Sequence, residues 1–128
     1  MSKTVKVALV GCGRTGQPLL KELLKHKYIK VVGAADINEK SQGIKFARKK
    51  KIPTTKNFMD LAKKGKNVDM LIDVSGDKKV RDSLKKYYKK SKNTHTIIIQ
   101  ELIARLIMSM SQRLNKLVKT YHPNIKGI

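Results

Sequence analysis

Three glycines near the start of the chain have a spacing that suits the binding of a phosphate-containing ligand. Gly11, Gly13 and Gly16 form a Gly-x-Gly-x-x-Gly pattern that follows an apolar run and opens a helical stretch. We expect Gly11 to permit a tight turn, Gly13 to let the backbone approach a pyrophosphate, and Gly16 to let the helix lie close to the sheet. The alternative is a strand–helix turn that needs glycine for its geometry alone.

The other residues of this loop, Cys12, Arg14 and Thr15, are predicted to surround the same ligand. The backbone N–H groups of Arg14, Thr15 and Gly16 would face the phosphates at the positive end of the helix. Cys12 is the one cysteine of the chain, and a helix N-terminus lowers the pKa of a nearby thiol. No histidine stands near it in the sequence, so we interpret Cys12 as a small loop residue beside the cofactor and not as a nucleophile.

An acidic residue stands at the distance that this loop pattern requires. Asp36 lies 20 residues after Gly16, at the end of a second apolar run. A carboxylate there would accept hydrogen bonds from the adenosine ribose hydroxyls and repel a 2′-phosphate, which favours NAD over NADP. Lys40 is close enough to weaken that preference, and Ile37 is predicted to contact the cofactor beside Asp36. The alternative role for Asp36 is a helix cap.

A third cluster, Asp-Val-Ser-Gly-Asp at 73–77, ends the fourth predicted strand. The alternation of apolar runs with helical stretches predicts a parallel sheet whose strand order reverses here, which is where open α/β sheets bind their ligands. Val74, Ser75 and Gly76 are therefore predicted to line the crevice near the nicotinamide end. The alternative is an ordinary turn in which Ser75 or Asp77 caps the next helix, and both roles are compatible.

Alternating strands and helices must position these residues. Apolar runs without a solvent-facing alternation predict strands buried on both faces, and the segments between them have helical spacing. Short connections then imply a doubly wound parallel α/β sheet of Rossmann type with strand order 3-2-1-4-5. The predicted strands are 5–11, 29–38, 52–55, 68–76 and 94–100, and the predicted helices are 14–26, 41–51, 57–65, 77–92 and 101–121. We assign residues 1–100 to a dinucleotide-binding domain and 101–128 to a C-terminal amphipathic helix.

The last predicted helix carries an apolar seam. Steps of four, three, four, three and four residues separate its apolar positions, as in an a/d heptad pattern. Over about 20 residues this period cannot be told from that of a helix covering a sheet. We expect the first half to pack on the sheet and the second half to pair with another subunit, which predicts a homodimer. The seam consists of Ile103, Ile107, Met110, Leu114, Leu117 and Tyr121.

The composition narrows the class of protein. The 128 residues carry a formal net charge of +21, from 30 basic and 9 acidic residues. This surplus leaves open a polyanionic partner such as a nucleic acid, and solvated lysine-rich helix faces are the alternative. A single cysteine, no zinc-ligand spacing and no apolar run of about 18 residues predict a cytoplasmic chain without a disulfide, a metal or a membrane span.

Four segments of the chain together resemble the N-terminal dinucleotide-binding domain of Gfo/Idh/MocA-type oxidoreductases: VALVGCGRTG, VVGAADIN, IPTTKNFMDL and VDMLIDVSGDKKVRDSL. They are also similar to the corresponding domains of homoserine dehydrogenase and dihydrodipicolinate reductase, and the resemblance covers residues 4–100. It implies an NAD(P) cofactor held by Gly11, Gly13, Gly16 and Asp36. It also implies contact between residues 74–76 and the nicotinamide half.

The chain departs from that family where the substrate chemistry begins. In those oxidoreductases the fifth strand runs into a Glu-Lys-Pro motif whose lysine serves the substrate, whereas here it runs into Gln-Glu-Leu-Ile at 100–103. Those enzymes also carry a large second domain, for which 128 residues leave no room. We therefore expect a cofactor-binding or sensing module without catalysis of its own. The alternatives are a subunit of an NAD-dependent oxidoreductase completed by another chain, and a nucleic-acid or CoA binder on the same fold.

Overall fold

The computed structural model describes residues 3–113 and residue 117. Its centre is a five-stranded parallel sheet with the order β3-β2-β1-β4-β5, which confirms the predicted doubly wound α/β fold. The strands are β1 (Val5–Val10), β2 (Ile29–Ala35), β3 (Thr54–Thr55), β4 (Met70–Asp73) and β5 (Ile97–Ile99). The helices are α1 (Gly16–Leu23), α2 (Gln42–Lys49), α3 (Met59–Ala62), α4 (Lys78–Lys90) and α5 (Glu101–Ser111), and a short 3₁₀ helix, Gly65–Asn67, precedes β4.

The strand β1 occupies the centre of the sheet because its residues are apolar on both sides. It pairs with β2 on one edge and with β4 on the other, and its last four residues are buried. Val7 and Leu9 face one layer of helices, while Ala8 and Val10 face the other. A strand without a polar face is stable only when both faces are covered.

Two layers of helices supply that cover. The first layer comprises α1, α2 and α5, whose buried residues include Leu19, Ile44 and Met108. The second comprises α3 and α4, which bury Leu61 and Leu84. Because α1 follows β1 and α4 follows β4, these two helices begin at the same edge of the sheet on opposite faces.

An irregularity in the β1–β2 ladder lets the second layer approach the sheet. The register shifts between Val7 and Ala8, which pair with Val31 and Gly33. A Cβ on Gly33 would lie 2.6 Å from Leu61 Cδ2, so α3 packs directly on the glycine backbone. This close approach places the residues just before α3 above the end of β2.

Helix α5 is shorter than the predicted C-terminal helix. It ends at Ser111, after which Gln112 closes the last turn and Arg113 adopts a left-handed conformation with φ 56°. The prediction of one helix over 101–121 is therefore wrong. The hydroxyls of Ser109 and Ser111 donate to backbone carbonyls of the preceding turn, and serine competes in this way with helix continuation.

The face of α5 that covers the sheet is not the predicted seam. Ala104 and Met108 are buried there, whereas Ile103 is 45% exposed and Met110 is 69% exposed. The small Ala104 brings the helix close to the sheet and turns the larger side chains outward, so the predicted register is wrong. Of the other seam residues, Ile107 is half-buried, Leu117 is exposed, and Leu114 and Tyr121 lie outside the described residues.

Two strands are shorter than predicted because polar side chains form turns at their ends. β4 stops at Asp73, and the predicted strand residues Ser75 and Gly76 belong to the turn before α4. At the start of β5, Asn93 Oδ1 accepts hydrogen bonds from the backbone N–H groups of His95 and Thr96. Asparagine stabilises turns in this way, so the strand begins only at residue 97.

Within residues 3–113 and residue 117, no helix has the length and apolar character needed to cross a membrane. In the same part of the chain, no group of three or more His, Cys, Asp or Glu side chains is placed to hold a metal ion. The predicted cytoplasmic location and the predicted lack of a metal stay predictions.

Candidate functional site

The carboxyl ends of β1, β2 and β4 meet at one edge of the sheet, and a cavity of about 400 Å³ opens between the turns that follow them. Open α/β sheets bind ligands at this position. Eight of the eleven residues predicted for the site lie on the cavity wall: Gly11, Gly13, Arg14, Thr15, Asp36, Ile37, Val74 and Ser75. The predicted residues Cys12, Gly16 and Gly76 do not line it.

Gly11 joins β1 to the turn that begins α1. Its φ is +93°, a conformation that residues with a Cβ rarely adopt. A Cβ here would lie 2.6 Å from the backbone nitrogen of Ser75. Glycine is thus required by the packing of the β1–α1 turn against the β4–α4 turn, in addition to the tight turn predicted from the sequence.

The other two glycines of the pattern have different surroundings. A Cβ on Gly16 would lie 1.9 Å from the carbonyl oxygen of Gly11, so α1 closes against its own loop only with glycine at its first position. A Cβ on Gly13 would meet no atom within 4 Å. The protein's own packing therefore accounts for Gly11 and Gly16 but not for Gly13, which borders the cavity.

The N-terminus of α1 has no side-chain cap. Thr15 stands at the N-cap position but makes no capping hydrogen bond, whereas Ser41 caps α2 and Asp77 caps α4. Thr15 Oγ1 is buried and has no hydrogen-bond partner among the described residues. A buried hydroxyl without a partner is costly, and the N–H groups of a first helical turn attract anions. The start of α1 is therefore suited to an anionic ligand.

The Cys12 side chain packs in the hydrophobic core and not in the cavity. Its side chain is fully buried, and its Sγ lies 3.6 Å from the carbonyl oxygen of Ala35. Burial, followed by the negative charge of Asp36, raises the pKa of the Cys12 thiol to about 12, so the thiolate is scarce at neutral pH. The Cys12 backbone N–H donates to Asp36 Oδ2 at 3.0 Å. Cys12 thus ties the loop to Asp36 through its backbone, and its side chain does not reach the cavity.

Gly43, which belongs to none of the predicted motifs, fixes α2 against this loop. The Gly43 N–H donates to the carbonyl oxygen of Cys12 at 2.8 Å, and a Cβ on Gly43 would lie 2.1 Å from that oxygen. Glycine destabilises a helix compared with other residues. A glycine directly inside the first turn of a helix was therefore the available signal of a close contact.

Asp36 is oriented at the end of β2 by two backbone donors. Its Oδ2 accepts from Cys12, and its Oδ1 accepts from the N–H of Asn38 at 2.9 Å. The N-cap of α2 is Ser41, so the alternative role of Asp36 as a helix cap is wrong. A carboxylate has about four acceptor positions, so Asp36 retains acceptor capacity towards the cavity. Next to it, Ile37 is 82% exposed.

The β4–α4 turn satisfies its own polar groups. Asp73 is 5% exposed, and its Oδ1 accepts hydrogen bonds from the Ser75 N–H at 3.0 Å and from the Ser75 hydroxyl at 2.7 Å. Burial raises the pKa of the Asp73 carboxyl, and the hydrogen bonds from Ser75 oppose that shift. Asp77 accepts from the Lys79 N–H at 2.8 Å, which confirms its predicted capping role. Gly76 adopts a φ of 70° within this turn.

Part of the cavity wall comes from outside the three predicted motifs. Lys56 and Phe58 belong to the segment between β3 and α3, and Val80 belongs to the first turn of α4. Lys56 Nζ pairs with a carboxylate oxygen of Glu39 at 3.4 Å. No local pattern marks these residues, because the packing of α3 over β2 brings them to the cavity.

The cavity therefore has two chemically different sides. The β1–α1 turn supplies a helix N-terminus, the Thr15 hydroxyl and the Arg14 side chain, which suit a phosphate group. The end of β2 supplies the Asp36 carboxylate, which suits hydroxyl donors, with the apolar Ile37 beside it. A ligand that carries both a phosphate and a hydroxylated ring fits this division.

Residues 5–98 match the protein family described as dihydrodipicolinate reductase, N-terminus. The match covers β1 to the middle of β5 and includes all eleven predicted site residues. It confirms the resemblance drawn from the sequence segments. No curated protein matches the chain.

Several solved structures share the fold. A candidate NADPH-dependent oxidoreductase from Desulfitobacterium hafniense is 16% identical with a TM-score of 0.59, over 89% of this chain and 34% of that chain. Myo-inositol 2-dehydrogenase from Lactobacillus plantarum is 18% identical with a TM-score of 0.53, over 87% and 40%. Scyllo-inositol dehydrogenase from Lactobacillus casei is 14% identical with a TM-score of 0.55, over 88% and 40%. These likenesses show the fold, and the chain spans 34–40% of the length of those proteins.

Proposed function

Because the chain belongs to the family of dihydrodipicolinate reductase N-terminal domains, we propose that it is a cofactor-binding or sensing module that binds NAD(H) in preference to NADP(H). In this proposal residues 1–100 form the cofactor domain. The pyrophosphate lies on the β1–α1 turn, the adenosine ribose on Asp36, and the nicotinamide half beside residues 74–76.

The observation that carries the proposal is the open N-terminus of α1. Like α3 and α5, and unlike α2 and α4, α1 has no side-chain cap. It differs from α3 and α5 because Thr15 Oγ1 at its N-cap is buried without a partner among the described residues, and because Gly13 borders open space. A pyrophosphate there would accept hydrogen bonds from first-turn N–H groups, in the room left by the missing Cβ of Gly13. Because Thr15 Oγ1 is buried, the Thr15 side chain would rotate about χ1 to donate to the same ligand. One ligand accounts for three features that packing within the described residues leaves unexplained.

Asp36 supports the preference for NAD. Its carboxylate is oriented by two backbone N–H groups at the cavity wall, where it would accept from ribose hydroxyls and repel a 2′-phosphate. Lys56 is a cation on the cavity wall, and its pairing with Glu39 reduces its attraction for that phosphate. Lys40 does not line the cavity.

The β4–α4 turn supports the placement of the nicotinamide half. Val74 and Ser75 lie on the wall on the far side of Gly11 from Asp36. Asp73 holds this turn in one conformation through Ser75. In the proposal the turn is a rigid surface that the nicotinamide half contacts, and Gly76 contributes through its backbone conformation.

Calorimetric titration with NAD, NADH, NADP, NADPH and CoA tests the site, with Asp36→Asn as the variant. The matched control is Asp82→Asn, which removes the same charge from an exposed position of α4. Loss of hydrogen bonds to a charged acceptor predicts about a tenfold or larger loss of NAD affinity in the first variant, and none in the second. Absence of dinucleotide binding overturns the proposal, and binding of CoA alone replaces it with the CoA alternative.

Family membership favours a second candidate function. The chain would be the cofactor-binding domain of a reductase that acts on dihydrodipicolinate or a related substrate. The groups that bind the substrate would then come from another domain or chain. NADH oxidation, followed by absorbance with dihydrodipicolinate present, tests this candidate. A rate above that of the Asp36→Asn variant supports it, and equal rates reject it for the chain alone.

We also propose a homodimer formed through the outer face of α5. Leu102, Ile103, Leu106 and Met110 are between 45% and 69% exposed, so this apolar face has no partner within the described residues. Sedimentation velocity is expected to show a dimer that Leu106→Glu dissociates. A monomer at all concentrations of the unmodified chain overturns this part of the proposal.

A further inference from the structure

Every acidic side chain of the chain makes a hydrogen bond or an ion pair with another residue. The chain has nine Asp and Glu residues, and all of them are among the described residues. Asp36, Asp60, Asp69, Asp73 and Asp77 accept hydrogen bonds at turns and element ends, and Glu22, Glu39, Asp82 and Glu101 lie within 4 Å of a cationic side chain. Few carboxylates therefore remain to neutralise the lysines.

A large part of the unneutralised charge lies on the second helical layer. We define the lysine surface as Lys63, Lys64, Lys66, Lys85, Lys86, Lys89, Lys90 and Lys92, all of which are exposed. None of the eight forms an ion pair within the described part of the chain. Three carboxylates stand within four residues of these lysines, and each has another partner. Asp60 accepts a hydrogen bond from the Thr55 hydroxyl, Asp69 accepts one from a backbone N–H, and Asp82 lies 3.8 Å from Arg81.

The two segments of the lysine surface lie at the same end of the sheet. The Thr96 hydroxyl lies 3.2 Å from the carbonyl oxygen of Gly65 and 2.7 Å from that of Val68. Lysines flank Gly65 on both sides, and α4 ends shortly before Thr96. Because Val68 precedes β4, this end is the amino edge of the sheet, opposite the cavity at the carboxyl edge. The lysines beside Gly65 and those at the C-terminal end of α4 therefore lie at the opposite edge of the sheet from the candidate cofactor site.

A groove of about 520 Å³ lies between α3 and α4, where it borders this surface through two of the eight lysines. Its walls are Met59, Ser83, Lys86, Tyr87, Lys90 and Ser91. Lys86 and Lys90 are one helical turn apart on the same side of α4, and Met59 and Tyr87 supply apolar surface between the two helices. Proteins that hold single strands combine cations on the phosphates with aromatic rings on the bases, and this groove has both.

We propose that the lysine surface binds single-stranded nucleic acid through its phosphates and seats one base in the groove beside Tyr87. Lysine contacts phosphate as a point charge, whereas base reading relies on the bidentate geometry of arginine, so the contact is independent of sequence. Anionic lipid headgroups would attract the same lysines, but they offer no base to the groove beside Tyr87. The groove therefore favours a nucleic acid.

Fluorescence anisotropy with a labelled oligothymidylate tests the proposal, using Lys86→Gln/Lys90→Gln as the variant. The matched control is Lys45→Gln/Lys49→Gln, which removes the same charge from exposed positions of α2 in the other layer. With about 0.7 counterions released per phosphate contact, the variant is expected to lower the slope of log K against log salt by about 1.4. The control is expected to keep the slope and to change the affinity less than threefold, roughly.

A second variant separates the groove from the charge. Tyr87→Leu keeps an apolar side chain but removes the ring, so the affinity is expected to fall about tenfold with an unchanged salt slope. Equal losses of oligonucleotide affinity in the two lysine double variants would show that total charge alone attracts the ligand, and would overturn the proposal. Binding to phosphatidylserine vesicles without binding to the oligonucleotide would also overturn it. NAD titration of the lysine variant separates this result from the proposed cofactor site, because its affinity for NAD is expected to be unchanged.

Discussion

The turns after β1 and β4 flank the same cavity but satisfy their polar groups in opposite ways. In the β4–α4 turn, the Asp73 carboxylate binds Ser75, and Asp77 caps the helix that follows. In the β1–α1 turn, Thr15 Oγ1 has no partner within the described residues and no side chain caps α1. A turn that satisfies itself is complete without a ligand, whereas a turn that leaves a helix start open is positioned to receive one.

The two turns also depend on each other. The missing Cβ of Gly11 lets the backbone of Ser75 approach, since a Cβ there would lie 2.6 Å from the Ser75 nitrogen. The β4–α4 turn, whose polar groups are satisfied, therefore packs against the β1–α1 turn and supports it. This arrangement explains how an uncapped helix start retains its shape.

Substitutions of Gly16 and Gly13 should show most clearly which glycine is needed for stability and which for NAD affinity. Gly16→Ala places a Cβ 1.9 Å from the Gly11 carbonyl oxygen, so we expect it to lower the free energy of unfolding by about 3 kcal/mol. Gly13→Ala meets no atom within 4 Å, so its stability should stay within about 0.5 kcal/mol of the unmodified chain, while NAD affinity falls. Urea denaturation and calorimetry measure the two quantities, and equal destabilisation would show that Gly13 is also a packing residue.

Thr15→Val should affect the ligand and not the fold. The substitution replaces a buried hydroxyl that has no partner among the described residues with a methyl group of similar size. A hydrogen bond to a charged group contributes about 1.5–3 kcal/mol, so we expect at least about a tenfold loss of NAD affinity. Thermal unfolding without NAD should be unchanged or slightly improved. A clear loss of stability would mean that Thr15 has an intramolecular partner in solution.

Asp77→Ala should show the reverse pattern. Removing the hydrogen bond to the Lys79 N–H leaves the start of α4 without its cap, which costs about 1 kcal/mol of stability. Asp77 also lines the cavity, but it is not assigned a cofactor contact, so NAD affinity should change little once the protein is folded. If affinity fell as much as in Thr15→Val, the two turns would not differ in role.

Asp73→Asn should have the smallest effect, and one that depends on pH. Because burial raises the folded-state pKa of Asp73 above its ordinary value, the proton binds more tightly to the folded chain, and the associated stability is lost as pH rises through the folded-state pKa. Asparagine keeps an acceptor for Ser75 without the charge. The variant should therefore gain stability relative to the unmodified chain over the pH range that begins at the ordinary Asp pKa of about 3.9 and ends at the raised folded-state pKa. A constant difference across this range would contradict the assignment to Asp73.

The fold and most of the cavity wall were predictable because their signals are local. Apolar runs such as 5–10 specify buried strands, and the glycine spacing with Asp36 in register places two of the three motifs at one edge. The burial of Cys12 was not predictable, because a small loop residue is compatible with either side of the turn. Lys56 and Phe58 were missed because only the packing of α3 over β2 brings them to the cavity.

The C-terminal helix shows a different limit. The heptad spacing of its apolar residues is nearly the spacing found in a helix that covers a sheet. Which residues of α5 face the sheet depends on which helix face packs closely against it. Ala104 fits and Ile103 does not, a distinction that depends on the shape of the sheet and not on hydrophobicity. The end at Ser111 likewise depends on a backbone turn at Arg113 that no glycine or proline marks.

The position of β5 has a consequence for the behaviour of the protein in solution. It is an edge strand of three isoleucines, with Ile97 62% exposed, and no strand pairs with its outer side among the described residues. Such an edge is a template for pairing with another copy, which a net charge of +21 opposes by repulsion between chains. Added salt screens that repulsion over a Debye length of about 10 Å at 0.1 M. Rising ionic strength should thus promote aggregation through β5.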